Sequence, residues 1–323
     1  MCGDKNYNNL FNLNLLLSLV KYILFSLFSF TLYSCTFQLL DNESDQLRIE
    51  VLDVGQGDAI LISKGDFRGL VDVGPPGQKI WNNLEKRLLA DGLTHIDWII
   101  ITHHHLDHFG ALLEYFSPDS LLVFAKGDTL KSYQGKLSIG RIYTNLDLYP
   151  SWEWSKLLEV LKEKSAHQAI DLDTLWSGRR PEFPEGINSR ILWPLPQQKN
   201  VGNKSSLVLE IEFEGSRVLL TGDLEEAEEF TLIGNGSLRT VDLLKVGHHG
   251  SKTSTSLEFL DKLKPHHKAI SYGCNNSYGH PHISTIAHLR LTSWIPSLEI
   301  RETCLHGDLK YIVNENGVFY DGE

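Results

Sequence analysis

Residues 47–54, 59–63 and 67–73 run apolar, or alternate apolar with polar, between Gly/Asp turns, which predicts three consecutive strands of a meander. The period then changes. Ile80, Leu84, Leu88 and Leu89 fall at helical spacing ahead of Gly92, predicting a helix over 80–91. A strand over 97–102 follows, then a helix over 107–116 whose small Gly110 and Ala111 permit close approach to a sheet. Further on, the pattern predicts strands at 121–125 and 137–143, a helix at 152–164, a hairpin from 207–213 and 217–221, and an acidic helix at 224–232. A strand at 242–246, a helix from near Ser256, a strand at 269–273 and a helix at 283–290 come next. The stretches 299–303, 309–313 and 318–320 read as a closing antiparallel meander. The pattern is weakest between 117 and 200, and as a whole it describes a layered α/β domain over 47–323.

Ahead of that domain, residues 22–34 are apolar, follow a single Lys21 and end in Leu32-Tyr33-Ser34-Cys35. This shape reads residues 1–35 as a secretory leader ending in a bacterial lipoprotein box, with Cys35 acylated. A transmembrane anchor over about 10–40, interrupted by Lys21, is the alternative. Residues 36–46 are polar and suit a tether, so in either case the body is expected to be exported and membrane-tethered. With Cys2 and Cys35 assigned to the leader, Cys274 and Cys304 remain, and we read them as two buried thiols in preference to a disulfide.

The formal charge of the 323 residues is −11. Asp4, Lys5 and Lys21 are the charges of the leader, which leaves −12 on the rest. An acidic body with no Lys/Arg run steers long DNA poorly, since non-specific duplex binding needs a basic stripe to displace counterions. Trp152, Trp154, Trp176 and Trp193 read as core or half-buried packing more readily than as a base-stacking platform.

The chemistry concentrates in Thr102-His103-His104-His105-Leu106-Asp107-His108, directly after the apolar run 98–101. Imidazoles and a carboxylate this close together suit Zn²⁺ or a similar borderline cation. One metal cannot use them all. A strand-to-helix turn places His103 and His105 toward one position and Asp107 and His108 toward a second.

The pattern His103-x-His105-x-Asp107-His108 resembles the central metal motif of the metallo-β-lactamase superfamily. Residues 70–74 (Leu-Val-Asp-Val-Gly) and 219–224 (Leu-Leu-Thr-Gly-Asp-Leu) match in the expected order. Residues 51–59, 244–251 and 278–281 narrow the likeness to the hydrolase-like domain of ComEC-type competence proteins, which handle incoming DNA. The resemblance covers about 47–320 and implies a four-layer αββα sandwich with the site along one edge of both sheets. It implies two Zn²⁺ per chain, with Mn²⁺ as an alternative. His103, His105 and Asp223 hold the first cation, and Asp107, His108, the bridging Asp223 and His248 hold the second. Asp72 braces the metal loops. Asp107 orients a water whose pKa the cations bring to ~7, and His280 or His249 protonates the leaving oxygen. Many members carry a further histidine just before Ser205; here Asn203 stands nearby as a weak oxygen donor or water holder, and His167 is the one upstream histidine able to replace it. Ser251 and Lys252, ahead of a helix N-terminus, read either as a phosphate seat or as an N-cap loop. The expected activity is phosphodiester hydrolysis, on DNA, a nucleotide or a cell-envelope substrate. A lactam, lactone or thioester hydrolase and a non-catalytic tethered binding protein are the alternatives.

Overall fold

A computed structural model of the chain describes Lys21 and residues 46–322, apart from 91, 93, 117–136, 146, 148–150, 168, 199 and 293–299. The leader, most of the tether and the strand expected at 121–125 lie outside the described residues. The chain divides into two units, Met1–Gln46 and Leu47–Glu323, and the second holds every element below.

The first sheet begins as the expected antiparallel meander, β1 (Leu47–Val51), β2 (Ala59–Lys64) and β3 (Phe67–Val73). Helix α1 (Gln78–Ala90) then leads to β4 (His95–Ile100), and α2 (Leu106–Phe116) precedes β5 (Ser138–Thr144). Helix α3 (Trp152–Ala166) precedes β6 (Asp171–Thr174), and β3 through β6 pair parallel. The second sheet holds β7 (Asn188–Trp193), β8 (Val208–Phe213) and β9 (Ser216–Leu220), joined antiparallel. It continues through α4 (Glu226–Gly234), β10 (Leu243–Lys245), α5 (Leu257–Leu263), β11 (His267–Ile270), α6 (Ile283–Leu291) and β12 (Ile300–Glu302). After α7 (Thr303–His306) the chain returns to the first sheet as the hairpin β13 (Leu309–Asn314) and β14 (Gly317–Tyr320). The strand orders are β14-β13-β1-β2-β3-β4-β5-β6 and β12-β11-β10-β9-β8-β7.

Period-two alternation sorts the side chains into layers. Leu61 and Leu70 of the first sheet pack with Trp81, Leu88, Phe109 and Trp154 of α1, α2 and α3. Their neighbours Ile60, Ile62 and Val71 face the other way and meet Leu209, Ile211, Val218 and Leu220 of the second sheet. On the far face of that sheet, Val208, Leu219 and Leu244 pack with Leu232, Phe259, Leu260 and Leu289 of α4, α5 and α6. Three hydrophobic clusters are thus the three interfaces of an α/β/β/α stack, as expected. Covered on both faces, the central strands read as nearly continuous apolar runs.

Two expectations need correction. The stretch 299–303 does not begin an antiparallel meander: β12 pairs parallel with β11 in the second sheet, because α6 forms the crossover that a parallel pair requires. Cys274 and Cys304 are not buried thiols but a disulfide. The pairing Ile270↔Glu302 carries both residues to the same end of neighbouring strands, with Cα atoms 5.0 Å apart, which a separation of 30 in sequence conceals. Among the described residues no helix is long and apolar enough to cross a membrane.

Candidate metal centre

The histidines and carboxylates of the candidate site lie at or beyond the C-terminal ends of strands with a parallel neighbour, the usual address for ligands in α/β sheets. Asp72 sits at the end of β3, His103 to His108 follow β4, Asp223 follows β9, His248 and His249 follow β10, and His280 follows β11. Gly110 lets α2 dock against the loop after β3, since a Cβ there would lie 2.3 Å from the backbone nitrogen of Pro76.

Donor atoms of His103, His105 and Asp223 lie within 4.8 Å of one another, and so do those of Asp107, His108, Asp223 and His249. Asp223 belongs to both groups. Its Oδ2 is 3.8 Å from His103 Nε2 and 3.3 Å from His108 Nε2, while its Oδ1 is 3.5 Å from His249 Nε2. His249 Nε2 is also 3.4 Å from Asp107 Oδ2. The Nε2 atoms of His103, His108 and His249, together with Asp223 Oδ1, are buried without a hydrogen-bond partner. Orphaned buried polar atoms are costly, and three imidazole nitrogens that converge on a carboxylate with an orphaned oxygen of its own fit a site built for cations.

The opposite ring nitrogens are all engaged, which is how a ligating histidine is oriented. His108 Nδ1 donates to Asp72 Oδ2 at 2.7 Å, and Asp72 also accepts from the Thr102 N–H and hydroxyl at 2.8 Å each. His103 Nδ1 lies 3.2 Å from the Thr102 hydroxyl and 3.3 Å from that of Ser206, which in turn accepts from the Asp223 N–H. His249 Nδ1 donates to the Ser271 carbonyl at 2.9 Å. Asn145, which sequence reasoning missed, donates to the carbonyls of Thr102 and Ser205 at 2.7 Å each and so ties the two sheets' loops together. Asp72, His248 and His249 hold positive φ of 58°, 48° and 54°, a costly conformation for non-glycine residues that collects at functional sites.

Electrostatics divide the histidines. Burial pushes His103 and His105 below the ordinary imidazole range. Burial would do the same to His108 and His249, but the surrounding carboxylates win. Asp223 and Asp72 lift His108 well above that range, and Asp223 and Asp58 lift His249 to about 10. Burial would raise Asp223, yet His108 and His249 hold it well below the usual carboxylate range. His104 is driven to about 3 by burial and by His105; it stacks on Trp154 at 3.8 Å and bonds Thr144, a packing histidine outside both donor groups.

The sequence expectation for the adjacent pair meets a different geometry. His249 belongs to the second donor group, whereas His248 stands at the rim with Nε2 3.7 Å from Asp223 Oδ2 and its ring near Asn203, Thr253 and Glu225. His280 sits beside it, ring centroids 5.5 Å apart, and burial followed by the charges of His248 and His249 lowers it to about 4. Asn203 lines the cleft with its Oδ1 buried and lacking a hydrogen-bond partner, while His167 bonds the Glu163 carbonyl at the end of α3, outside both donor groups. Ser251 and Lys252, the residues expected to seat a phosphate, stand apart from the cleft. Ser251 is buried against Thr253, neither it nor Lys252 lines the cleft, and the carboxylate of Glu229 already accepts the Thr255 and Ser256 N–H groups ahead of α5. Of the tryptophans, Trp154 and Trp193 are core, as expected, and Trp176 stacks against Arg179. Trp152 is 45% exposed and, with Tyr278 at 70%, lines the cleft of about 550 Å³ that opens onto the donor groups.

A two-sheet α/β stack with a histidine and carboxylate cluster shared between its sheets defines a class of metal-dependent hydrolase folds. The chain belongs to the metallo-beta-lactamase superfamily, whose family model matches residues 52–164 and 167–273. It is 30% identical to "ComE operon protein 3" of Bacillus subtilis, covering 83% of this chain and 33% of that protein. It is 25% identical to "Competence protein ComA" of Neisseria gonorrhoeae, covering 85% of this chain and 33% of that one. The chain thus spans about a third of the length of these relatives. Among solved structures it is similar to the metallo-beta-lactamase fold protein YhfI from Bacillus subtilis, with TM-score 0.47, 14% identity, and 80% of this chain and 96% of that one covered.

Proposed function

We propose that the protein is a dinuclear metal-dependent hydrolase that cleaves a phosphodiester. The observation that carries this reading is the convergence on Asp223 of three buried imidazole nitrogens, those of His103, His108 and His249, which like Asp223 Oδ1 have no hydrogen-bond partner. His103, His105 and Asp223 hold the first cation; Asp107, His108, Asp223 and His249 hold the second. This exchanges His249 for the His248 expected from sequence. When bound, the divalent cations, Zn²⁺ or Mn²⁺, supply Lewis acidity and a water of pKa ~7. The remaining work falls to side chains. Asp107, at the cleft floor, orients the attacking water. His280, lowered to about 4 by burial and by the charges of His248 and His249, serves as an acceptor or late ligand, and His248 stands at the rim beside Asn203, where a leaving group would depart.

Three features support a phosphodiester over a lactam or thioester. The two donor groups would hold a pair of cations, which suits an in-line displacement at phosphorus, and among the described residues the cleft lining offers no Lys or Arg in their place. The exposed rings of Trp152 and Tyr278 offer stacking surfaces beside the metals, of the kind that accept nucleobases. The relatives' names include competence proteins, which favours a polynucleotide. The Cys274–Cys304 disulfide suits an oxidising compartment and so supports an exported body.

The test is hydrolysis of bis(p-nitrophenyl) phosphate, a chromogenic lactam and a thioester by metal-stripped protein, before and after addition of Zn²⁺ or Mn²⁺. Metal-dependent turnover of the phosphodiester alone, lost together with metal in Asp223→Ala, is expected. Protein carrying two metals but inert on every phosphodiester would overturn the assignment.

A further inference from the structure

The ligands of the second metal position come from opposite sheets: Asp107 and His108 follow β4, Asp223 and His249 follow β9 and β10. Something must hold these two edges at a fixed separation. The turn Gln56-Gly57-Asp58, just ahead of β2 in the first sheet, reaches across to the second at several points. The Gln56 side-chain oxygen accepts the Gly273 N–H at 3.3 Å, and the Gly57 carbonyl accepts the Ser271 hydroxyl at 2.6 Å. Asp58 Oδ2 accepts Lys245 Nζ at 2.6 Å. Lys245 is the last residue of β10, and both charged side chains are fully buried.

The same turn touches both metal-ligand segments. The Asp58 N–H donates to the Asp107 carbonyl at 3.2 Å, and Asp58 Oδ1 lies 3.3 Å from His249 Nδ1, beside the Ser271 carbonyl that takes this ring's proton. Only glycine serves at position 57, where φ is +146° and a Cβ would lie 2.3 Å from the Asp107 carbonyl oxygen. An isolated buried lysine is expensive, so a lysine with no catalytic contact in this place calls for a reason. Its charge keeps a carboxylate in the dry space behind His249.

We propose that Asp58 is a positioning residue, which with Lys245 clamps the two sheets beneath the second metal position and sets His249 and Asp107 together. The inference rests on the dinuclear reading. It predicts a selective defect, because His103 and His105 of the first position make no contact with the clamp in any hydrogen bond or ion pair described above.

The experiment uses the full chain, stripped of metal, as wild type, Asp58→Asn, Lys245→Met and the double variant. Stepwise Zn²⁺ affinity is measured by competition with a chromophoric chelator, alongside Tm. In Asp58→Asn one Zn²⁺ step should weaken by about 10–100-fold, the usual loss on removing an outer partner of a ligand, while the other changes by less than about 3-fold. Each single variant leaves an uncompensated buried charge or its empty partner and should lose Tm. The double variant, which buries no charge at the clamp, should regain Tm without regaining the weakened step, and it keeps the test open should a single variant fail to fold. Recovery of that step in the double variant would show that Asp58 merely neutralises Lys245, and equal weakening of both steps would show a general structural defect; either overturns the proposal. Wild-type protein that takes up no Zn²⁺ sinks the dinuclear reading and this inference with it, whereas two wild-type steps with an unaltered pair in Asp58→Asn sinks the inference alone.

Discussion

Replacing Asp72 by Asn tests whether that carboxylate aims the His108 ring. Three donors share its two oxygens: the Thr102 N–H on Oδ1, and the Thr102 hydroxyl and His108 Nδ1 on Oδ2, all at 2.7–2.8 Å. Because Nδ1 donates, Nε2 is reserved for the space beside Asp223, 3.3 Å away. Asn keeps the size of Asp but has one acceptor. With its amide nitrogen toward His108, an N–H opposes the Nδ1 proton of a ring that stays protonated in the metal-free protein, and in the neutral ring the proton moves to Nε2, where it blocks the atom that would face the cation. With the amide turned toward Thr102, two N–H groups oppose each other in a dry site. Either arrangement forfeits at least one charge-assisted hydrogen bond, so the metal-free protein should lose about 2 kcal/mol, within the 1.5–3 kcal/mol usual for bonds to charged groups. Affinity for one cation should fall about 10–100-fold, equivalent to ~1.4–2.7 kcal/mol. Urea unfolding of stripped protein reads the first quantity and chelator competition the second. Loss of stability with both affinities intact would reduce Asp72 to a strut, and no change in either would refute the network.

Glu229, raised by burial to about 7 from an ordinary 4.5, binds a proton more tightly folded than unfolded, so its contribution to stability is present below pH 4.5 and is lost as pH rises to 7. Wild type should therefore lose ~2–3 kcal/mol more than Glu229→Gln between pH 5 and pH 8, measured by urea unfolding, and parallel profiles would refute the assignment. Trp152→Ala and Tyr278→Ala should each raise KM for a single-stranded oligonucleotide by about 5- to 150-fold, from ~1–3 kcal/mol per stacked base, with metal content unchanged. An equal rise on an abasic oligonucleotide would contradict stacking. Reducing Cys274–Cys304, which closes a loop of 30 residues, should cost about 3–4 kcal/mol of stability, and an unchanged unfolding midpoint would argue against the bond.

The layers and the location of the site were legible because each rests on local rules. Runs such as 98–101 are apolar on both faces only when both faces are covered, and the histidines of 103–108 follow such a run directly. Which of His248 and His249 points inward was not legible. Two successive left-handed residues break the alternation that would otherwise assign the rings to opposite sides. The role of Asp58 was hidden differently: beside two glycines it reads as a turn residue, and its partner Lys245 lies 187 positions away. The disulfide, and the site of β12 in the second sheet, likewise depend on the crossover α6, which is a property of topology and not of spacing.

Charge joins the cleft to the whole molecule. The chain carries −11 overall, and among the described residues the cleft is lined by Asp107, Asp223 and Glu153 without a lysine or arginine. An anionic substrate approaching the metal-free protein therefore meets repulsion both at long range and at the site. In that state the protonated rings of His108 and His249 neutralise part of the carboxylate charge from within, but both are buried and face Asp223 rather than the cleft mouth. On the proposed dinuclear reading, two divalent cations in the same positions would reverse the local sign beside the Trp152 and Tyr278 rings that line the cleft. On that reading metal loading would govern substrate binding as well as the chemical step. Recognition of the proposed substrate would then be short-ranged, drawn from a few phosphates and stacked rings instead of a basic track along a duplex.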